Sequence, residues 1–360
     1  LPMSDTNRLL FDFIPRSPTP FHVVQALSER LQAAGYIPLP ETVSWQLQPG
    51  GAYYVTRNGS SLIAFRIPSG DWSGFLITAS HSDSPTFQVK ENGELAGPEG
   101  YLRLNTEPYG GMLMAPWLDR PLSLAGRVAV RLADGTIASR LVDLDRDLLV
   151  IPSVAIHLRR DANKGAALDP KTDLVPLLGL DQPKGCLKKL AAQAAGVEEQ
   201  DLLSTELFLY LRQPGTVLGA GGELIAAPRL DDLQCVYGCL EGFLQSREQG
   251  CLPLYAVFDN EEVGSATKQG ADSTFLSDIL RRICAASGRD LPAAAAASLM
   301  LSADNAHAVH PNHPEYADTD NRPRLNGGVV IKRTASQRYA TDGLSAAIFA
   351  EICRRAQVPV

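Results

Sequence analysis

The sequence predicts an α/β domain that is interrupted by an inserted, mainly β domain. Three apolar runs of strand length each lead into a residue type that binds metals, and amphipathic helical segments accompany them. By contrast, residues 88–221 contain short β-like runs separated by Gly and Pro, with none of these strand endings. We therefore assign residues 1–87 and 222–360 to a discontinuous α/β domain and residues 88–221 to the insertion.

The first elements are predicted to be a helix and a β-hairpin. Thr19-Pro20 is typical of an N-cap followed by proline at the first helical position, and apolar residues then recur at helical spacing up to Gly35. Residues 52–67 are rich in β-formers and contain Asn58-Gly59, a strong hairpin signal. A hairpin should therefore precede the first of the three strands.

The three strand endings carry the chemistry. His81 follows the run 75–80, Glu261-Glu262 follow the run 254–258, and Asp304 follows the run 297–303. Adjacent glutamates repel each other and desolvate poorly, so a cation would stabilise them. One glutamate could then bind the cation while its neighbour carries protons. Because ligands collect beyond the carboxyl ends of strands in open α/β sheets, these residues predict a metal site.

The remaining elements follow the same alternation. Runs such as 127–131 and 148–151 favour strands in the insertion, and after Gly221-Gly222 the βα pattern returns with an amphipathic helix opening at Asp231. Cys235 and Cys239 lie one turn apart on this helix and could share a metal. We favour buried apolar roles for both, since free cysteines are often buried.

Composition narrows the functional class. The chain has 360 residues, of which 45% are hydrophobic and 20% charged, which is typical of a globular protein. The net charge of -7 argues against nucleic acid as a partner. No apolar stretch approaches the ~18 residues that span a bilayer, and the start lacks a signal-peptide pattern. We expect a cytoplasmic protein, with no membrane partner, whose six cysteines are reduced.

Five segments, in order along the chain, resemble the aspartyl aminopeptidase family of zinc metallopeptidases. They are His81-Ser82-Asp83-Ser84-Pro85, Pro228-Arg229-Leu230-Asp231, Asp259-Asn260-Glu261-Glu262-Val263-Gly264-Ser265, the stretch from Ser302 to Pro311, and Gln337-Arg338-Tyr339-Ala340-Thr341. The resemblance implies a mixed-sheet zinc-peptidase catalytic domain with an inserted β-rich oligomerisation domain. It also implies hydrolysis of the N-terminal residue, Asp or Glu, from peptide substrates.

The resemblance assigns a role to each strand ending. It makes His81 and Asp304 terminal ligands of two zinc ions, Asp231 the carboxylate between them and Glu262 a further terminal ligand. Glu261 becomes the general base. These residue types suit Zn²⁺, and a shared carboxylate is compatible with the ~3.5–4 Å separation of two-metal hydrolases.

Four more residues are candidates for supporting roles. Asp83 lies two residues beyond His81 on the same side of an extended chain and would orient the His81 imidazole, while the resemblance makes Lys332 and Tyr339 contacts of the substrate. His157, in the insertion, matches a histidine that reaches the active site of a neighbouring subunit in a homo-oligomer, a dodecamer in the family. Without the resemblance, an isolated Lys or Tyr is more often solvated or packed, and His157 could be a structural histidine.

The last zinc ligand of the family is a histidine in a segment that follows the one ending here at Pro359-Val360. This sequence contains no match to it. Either the sequence is part of a longer chain, which we favour, or the protein ends at Val360 and its second metal site is weak.

Three alternatives to an aminopeptidase for acidic residues remain open. A non-catalytic peptide-binding or scaffold protein of the same fold could lack one ligand, although the presence of Glu261 and Asp231 favours an enzyme. A related zinc peptidase with neutral specificity would share the metal site. In a purely structural alternative, the carboxylates would pair with residues such as Arg229.

Overall fold

The computed structural model describes residues 5–165, 167–247 and 250–360. The chain forms two compact units, one ending at Ala303 and one running from Asp304 to Val360. The helices are α1 (Asp5–Phe13), α2 (Pro20–Ala33), α3 (Cys186–Ala195), α4 (Leu230–Gln245), α5 (Phe275–Ala286), α6 (Leu291–Ala296) and α7 (Gly343–Arg355). Among the described residues, none of the helices is long and apolar enough to cross a membrane.

The strands of the first unit form two six-stranded sheets and one hairpin. They are β1 (Ile37–Pro38), β2 (Ala52–Arg57), β3 (Ser61–Arg66), β4 (Gly74–His81), β5 (Thr86–Ala96), β6 (Tyr101–Tyr109), β7 (Leu122–Arg131), β8 (Ile137–Asp143), β9 (Leu177–Leu180), β10 (Leu202–Leu211), β11 (Thr216–Leu218), β12 (Leu224–Ala226), β13 (Cys251–Phe258) and β14 (Leu299–Ser302). The predicted α/β class with mixed sheets is confirmed.

The first sheet brings the predicted strand endings to one edge. Its order is β1-β2-β3-β13-β4-β14, and β13, β4 and β14 run parallel. In this register Phe258 pairs with His81, and the amide of Ala303 donates to the carbonyl of Ala79 at 2.7 Å. β14 begins at Leu299 rather than at Ala297, because α6 extends to Ala296 and Ala297 forms its C-cap.

Two apolar clusters cover the two faces of this sheet. Helices α1, α2 and α4 pack on one face, where Leu27 and Val236 share a buried cluster with Tyr255, and the Tyr255 hydroxyl donates to the Val236 carbonyl at 2.9 Å. Helices α5 and α6 pack on the other face against strand residues such as Phe65 and Phe75. Each fully buried apolar side chain contributes about 1.5–3 kcal/mol to the free energy of unfolding, so burial on both faces stabilises the central strands that carry the polar residues at their ends.

The predicted early elements are confirmed. Helix α2 begins at Pro20, and the hairpin of β2 and β3 closes with Arg57 opposite Ser61. Asn58 and Gly59 supply the turn with φ values of 57° and 67°, which these two residue types adopt most readily. The hydroxyl of Thr19 bonds to Nδ1 of His22 at 2.8 Å instead of capping a backbone amide.

The second sheet lies within residues 86–211 and is antiparallel throughout, with the order β8-β7-β10-β5-β6-β9. It shares an apolar core with α3, a helix within the insertion that was predicted to be mainly β. In the run 148–151, residues 149, 150 and 151 form isolated bridges to Leu122, Leu177 and Leu118 rather than a strand. The boundaries at 88 and 221 stay a prediction.

The second unit contains α7 and a long irregular segment before it. Asp342 begins the helix with a capping box, since its carboxylate accepts from the amide of Ser345 while the Ser345 hydroxyl accepts from the amide of Asp342. His310 and His313 form a short antiparallel bridge, and their rings lie 5.2 Å apart.

Candidate metal centre

Three elements of the first unit carry the polar residues of the site. His81 is the last residue of β4, and Glu261 and Glu262 lie in a single helical turn directly after β13. Asp231 and Asp232 occupy the start of α4, where both have non-helical backbone angles. Because β4 and β13 are parallel neighbours, their carboxyl ends place His81 beside the two glutamates.

The side chains form two overlapping groups around His81. One ligand atom from each of His81, Glu261 and Glu262 lies within 4.8 Å of the others, and the same holds for His81, Asp231 and Asp232. Nε2 of His81 is 3.3 Å from Oδ1 of Asp231 and 4.0 Å from Oδ2 of Asp232. The imidazole therefore belongs to both groups.

Asp83 fixes the tautomer of His81. Nδ1 of His81 faces two acceptors of Asp83, the backbone carbonyl at 3.1 Å and Oδ1 at 3.3 Å, so this nitrogen carries the proton. The unprotonated lone pair of a neutral ring is then on Nε2, which points toward Asp231. This is the arrangement in which a histidine binds a metal while a carboxylate orients it.

The same Asp83 carboxylate holds the turn that carries the glutamates. Its side chain is 0% exposed, and its two oxygens accept the amides of Glu261 at 3.2 Å and Glu262 at 3.1 Å. Oδ2 also accepts the hydroxyl of Tyr109 at 2.7 Å. One buried carboxylate thus positions both the histidine and the paired glutamates.

The charges of the site shift the pKa values of its residues. Burial lowers the pKa of His81, but its hydrogen bonds to Asp231 and Asp83 outweigh this and raise the pKa to about 11. Burial raises the pKa of Glu262 to about 7, with Asp83, Asp231 and Glu261 adding to the shift and His81 opposing it. Burial also raises the pKa of Asp259 to about 6. Burial thus opposes the charged form of these carboxyl groups, while the neighbouring carboxylates favour a positive charge at His81.

The residues present fit a zinc ion. One imidazole that turns Nε2 toward the site and several carboxylates form a donor set that suits Zn²⁺. The carboxylates that raise the pKa of His81 stabilise a positive charge at this place, and a divalent cation supplies it without protonating the imidazole.

A cavity of about 460 Å³ lies beside these residues in the first unit. Asp83 and Asp231 border it, and aromatic side chains line much of the rest: Phe21, Tyr109, Trp117, Phe208 and Tyr210. A volume of this size accommodates a small organic ligand.

The remaining predicted site residues are Asp304, Lys332 and Tyr339 in the second unit and His157 in the first unit. In the second unit, Nζ of Lys332 is 2.7 Å from Oδ2 of Asp304 and 2.8 Å from the carbonyl of Asn305. The same Nζ lies 5.8 Å from the centre of the Tyr339 ring, so three predicted residues are neighbours. His157 lies on an exposed turn of the first unit.

Three residues of the site were not anticipated. Asp232 is fully buried, and its carboxylate accepts the amide of His81 at 3.1 Å. Its position next to Asp231 was the only signal in the sequence. Tyr109 and Asn260 meet each other and Asp83 through side-chain contacts between different elements, which no local pattern reveals.

Comparisons with known proteins give the family. The model of the Aminopeptidase I zinc metalloprotease family, M18, matches residues 13–360. The chain belongs to this family. Metal-dependent removal of the N-terminal residue from peptides is the activity of M18 aminopeptidases, and the prediction of a zinc aminopeptidase is confirmed at this level. This finding argues against the non-catalytic scaffold.

Individual M18 proteins resemble the chain over almost its whole length. A probable M18 family aminopeptidase 2 from Clostridium acetobutylicum is 43% identical over 360 residues, which is 97% of this chain and 83% of the relative. The structure of Ape4 in complex with Nbr1 has a TM-score of 0.94 and 36% identity, covering 98% of this chain and 73% of that one. The mApe1 dodecamer of S. cerevisiae has a TM-score of 0.86 and 30% identity, covering 98% and 83%.

Proposed function

We propose that this M18 aminopeptidase removes N-terminal Asp or Glu from peptides and holds two zinc ions per subunit. His81, Asp231, Glu262 and Asp304 would hold the zinc, with Asp231 shared between the ions. The observation that carries the proposal is the convergence of His81, Glu261 and Glu262 within 4.8 Å, around a buried Asp83 that bonds to all three residues.

The residues divide the chemistry between them. Zinc, when bound, polarises a carbonyl oxygen and makes water more acidic. Glu261 accepts a proton from the attacking water and returns it to the leaving amine, as a general base and then a general acid. Asp83 accepts the Nδ1 proton of His81, which leaves Nε2 as the nitrogen that would face the metal, and it holds the amides of Glu261 and Glu262 in place. The cavity beside Asp231 gives room to a short peptide.

The proposed preference for an acidic N-terminal residue rests on the cation Lys332 in the second unit. Lys332 pairs with Asp304 at 2.7 Å and lies over the ring of Tyr339, and its ammonium would turn to an acidic side chain of the substrate when Asp304 binds zinc. We infer that Lys332 and Tyr339 bind the acidic side chain of the substrate. His157 would contribute from a neighbouring subunit, and the S. cerevisiae mApe1 dodecamer supports such a homo-oligomer. We place this assembly in the cytoplasm.

The test of the proposed base is Glu261→Gln, with Glu199→Gln as a matched control on an exposed residue. Chromogenic substrates with N-terminal Asp, Glu or Leu are assayed after zinc loading. Loss of a general base reduces kcat by about 10²–10⁴-fold, whereas the control retains wild-type activity. If Glu261→Gln is as active as Glu199→Gln, the assignment is wrong.

The test of specificity is Lys332→Met, which keeps the apolar stem and removes the charge. A hydrogen bond to a charged group contributes about 1.5–3 kcal/mol, so kcat/KM for the Asp substrate should fall by about 10–100-fold relative to the Leu substrate. Lys188→Met, on the exposed face of α3, is the matched control. An unchanged ratio between the two substrates would assign the acidic preference to other residues or to none.

A further inference from the structure

A tyrosine of the second sheet reaches the turn that carries the two glutamates. Tyr109 is the last residue of β6, and its hydroxyl donates to Oδ2 of Asp83 at 2.7 Å. The hydroxyl oxygen of Tyr109 in turn accepts from Nδ2 of Asn260 at 2.9 Å. Asp83 accepts the amides of both glutamates, and Asn260 directly precedes Glu261. The Tyr109 hydroxyl therefore joins two groups that each fix this turn.

The direction of these hydrogen bonds follows from the other partners of Asn260. Its Oδ1 accepts from Nε2 of Gln269 at 2.7 Å and from the hydroxyl of Thr267 at 2.8 Å. Two donors identify this atom as the oxygen, so the amide nitrogen must face Tyr109. The Tyr109 hydroxyl therefore accepts from Asn260 and donates its own proton to Asp83.

The Tyr109 ring is held in place from its own sheet. It packs edge-to-face against Phe208 of β10, with ring centres 5.9 Å apart. The next residue, Gly110, has φ of +77°, and a Cβ built on it would lie 3.0 Å from Cβ of Glu262. The end of β6 thus passes directly over the glutamate turn, so a shift of this segment would reach Glu262.

We propose that Tyr109 is a positioning residue for catalysis, which orients Glu261 and Glu262 through Asp83 and Asn260. This inference rests on the proposed roles of the two glutamates. The positioning role depends on the Tyr109 hydroxyl alone. A packing role would depend on the ring, which contacts Phe208.

The experiment compares Tyr109→Phe with Tyr101→Phe, which lies at the exposed start of the same strand. We expect kcat of Tyr109→Phe to fall by about tenfold, with KM within about threefold of wild type. Zinc affinity, measured by competition with a chromogenic chelator, should change by less than about threefold, because His81 keeps its contacts with Asp83. Tyr101→Phe should match the wild type in all three quantities.

A double-mutant cycle separates positioning from packing. Asn260→Gly removes the side chain that donates to the Tyr109 hydroxyl, and glycine readily adopts the φ of 65° found at this position. Tyr109→Phe should cost about tenfold in kcat alone and less than about threefold in the Asn260→Gly background, since both changes cut one network. Equal losses in the two backgrounds would overturn the inference.

The remaining results of these experiments also test the positioning role of Tyr109. A kcat for Tyr109→Phe within twofold of Tyr101→Phe, with or without a lower Tm, would leave only a packing role. If Tyr109→Phe fails to fold, Asn260→Gly alone cuts the same hydrogen bond, and a kcat within twofold of wild type would overturn the inference. Activity retained by Glu261→Gln would instead contradict the proposed function, so the two failures are distinguishable.

Discussion

Asp83→Asn tests the central hydrogen bonds of the site. Oδ1 of Asp83 accepts from His81 and the Glu261 amide, and Oδ2 accepts from Tyr109 and the Glu262 amide. An asparagine replaces one of these oxygens by an NH₂ group in either orientation. Backbone N–H groups cannot reverse their polarity, so the amide of Glu261 or Glu262 would face a donor.

The magnitude follows from that single lost contact. A hydrogen bond to a charged group contributes about 1.5–3 kcal/mol, and 1.4 kcal/mol corresponds to a factor of ten. We therefore expect kcat/KM at saturating zinc to fall by about 10–100-fold, the range typical of residues that orient metal ligands. Zinc affinity should fall less than kcat/KM, because the backbone carbonyl of Asp83 still accepts from His81.

The assay combines steady-state kinetics with zinc titration against a competing chelator. Asp134→Asn is the matched control, since Asp134 is an exposed residue that accepts hydrogen bonds from Thr136 in the β7–β8 turn. The control should retain wild-type kinetics and affinity. If Asp83→Asn stays within threefold of the control in kcat/KM, the reasoning on this carboxylate is refuted.

Two further predictions concern the backbone near the site and the pH dependence of stability. Gly110→Ala and Gly135→Ala both place Cβ at positive φ, +77° and +82°, so each should lower the free energy of unfolding by about 1–2 kcal/mol. Only Gly110→Ala should also lower kcat, because its Cβ would meet Glu262 whereas nothing lies within 4 Å at Gly135; equal kcat values would contradict this. Burial lowers the pKa of His22 from its usual 6.5, with Asp143 partly opposing, so the unfolded state binds more protons and stability is lost as pH falls below about 6.5. Urea unfolding between pH 7.5 and 5 should show a smaller loss for His22→Gln than for the wild type, and identical losses would exclude this cause.

The gathering of His81 and the two glutamates at one end of the sheet could be predicted because its signals are local. An apolar run that ends in His81 or Glu261-Glu262 is visible in the sequence, and parallel pairing of β4 and β13 then brings the endings together. The Asn58-Gly59 hairpin is equally local, since its turn depends on two residues that adopt positive φ.

The network behind the site could not be predicted in this way. Tyr109 and Asp83 are 26 residues apart in the chain, and they meet only because β6 ends beside the turn that carries the two glutamates. The run 148–151 has strand-like composition, but its partners leave it as isolated bridges. Both outcomes depend on which strands pair across a sheet, and no short stretch of sequence contains that information.

The most direct test of the account is anomalous scattering from zinc-loaded crystals, recorded at the zinc absorption edge. We predict two peaks, at least one within bonding distance of Nε2 of His81 and both in contact with Asp231. Glu261 should touch neither ion, because its proposed role is to carry protons. Peaks remote from His81, or a zinc ion bound directly by Glu261, would contradict the proposed arrangement of ligands and base.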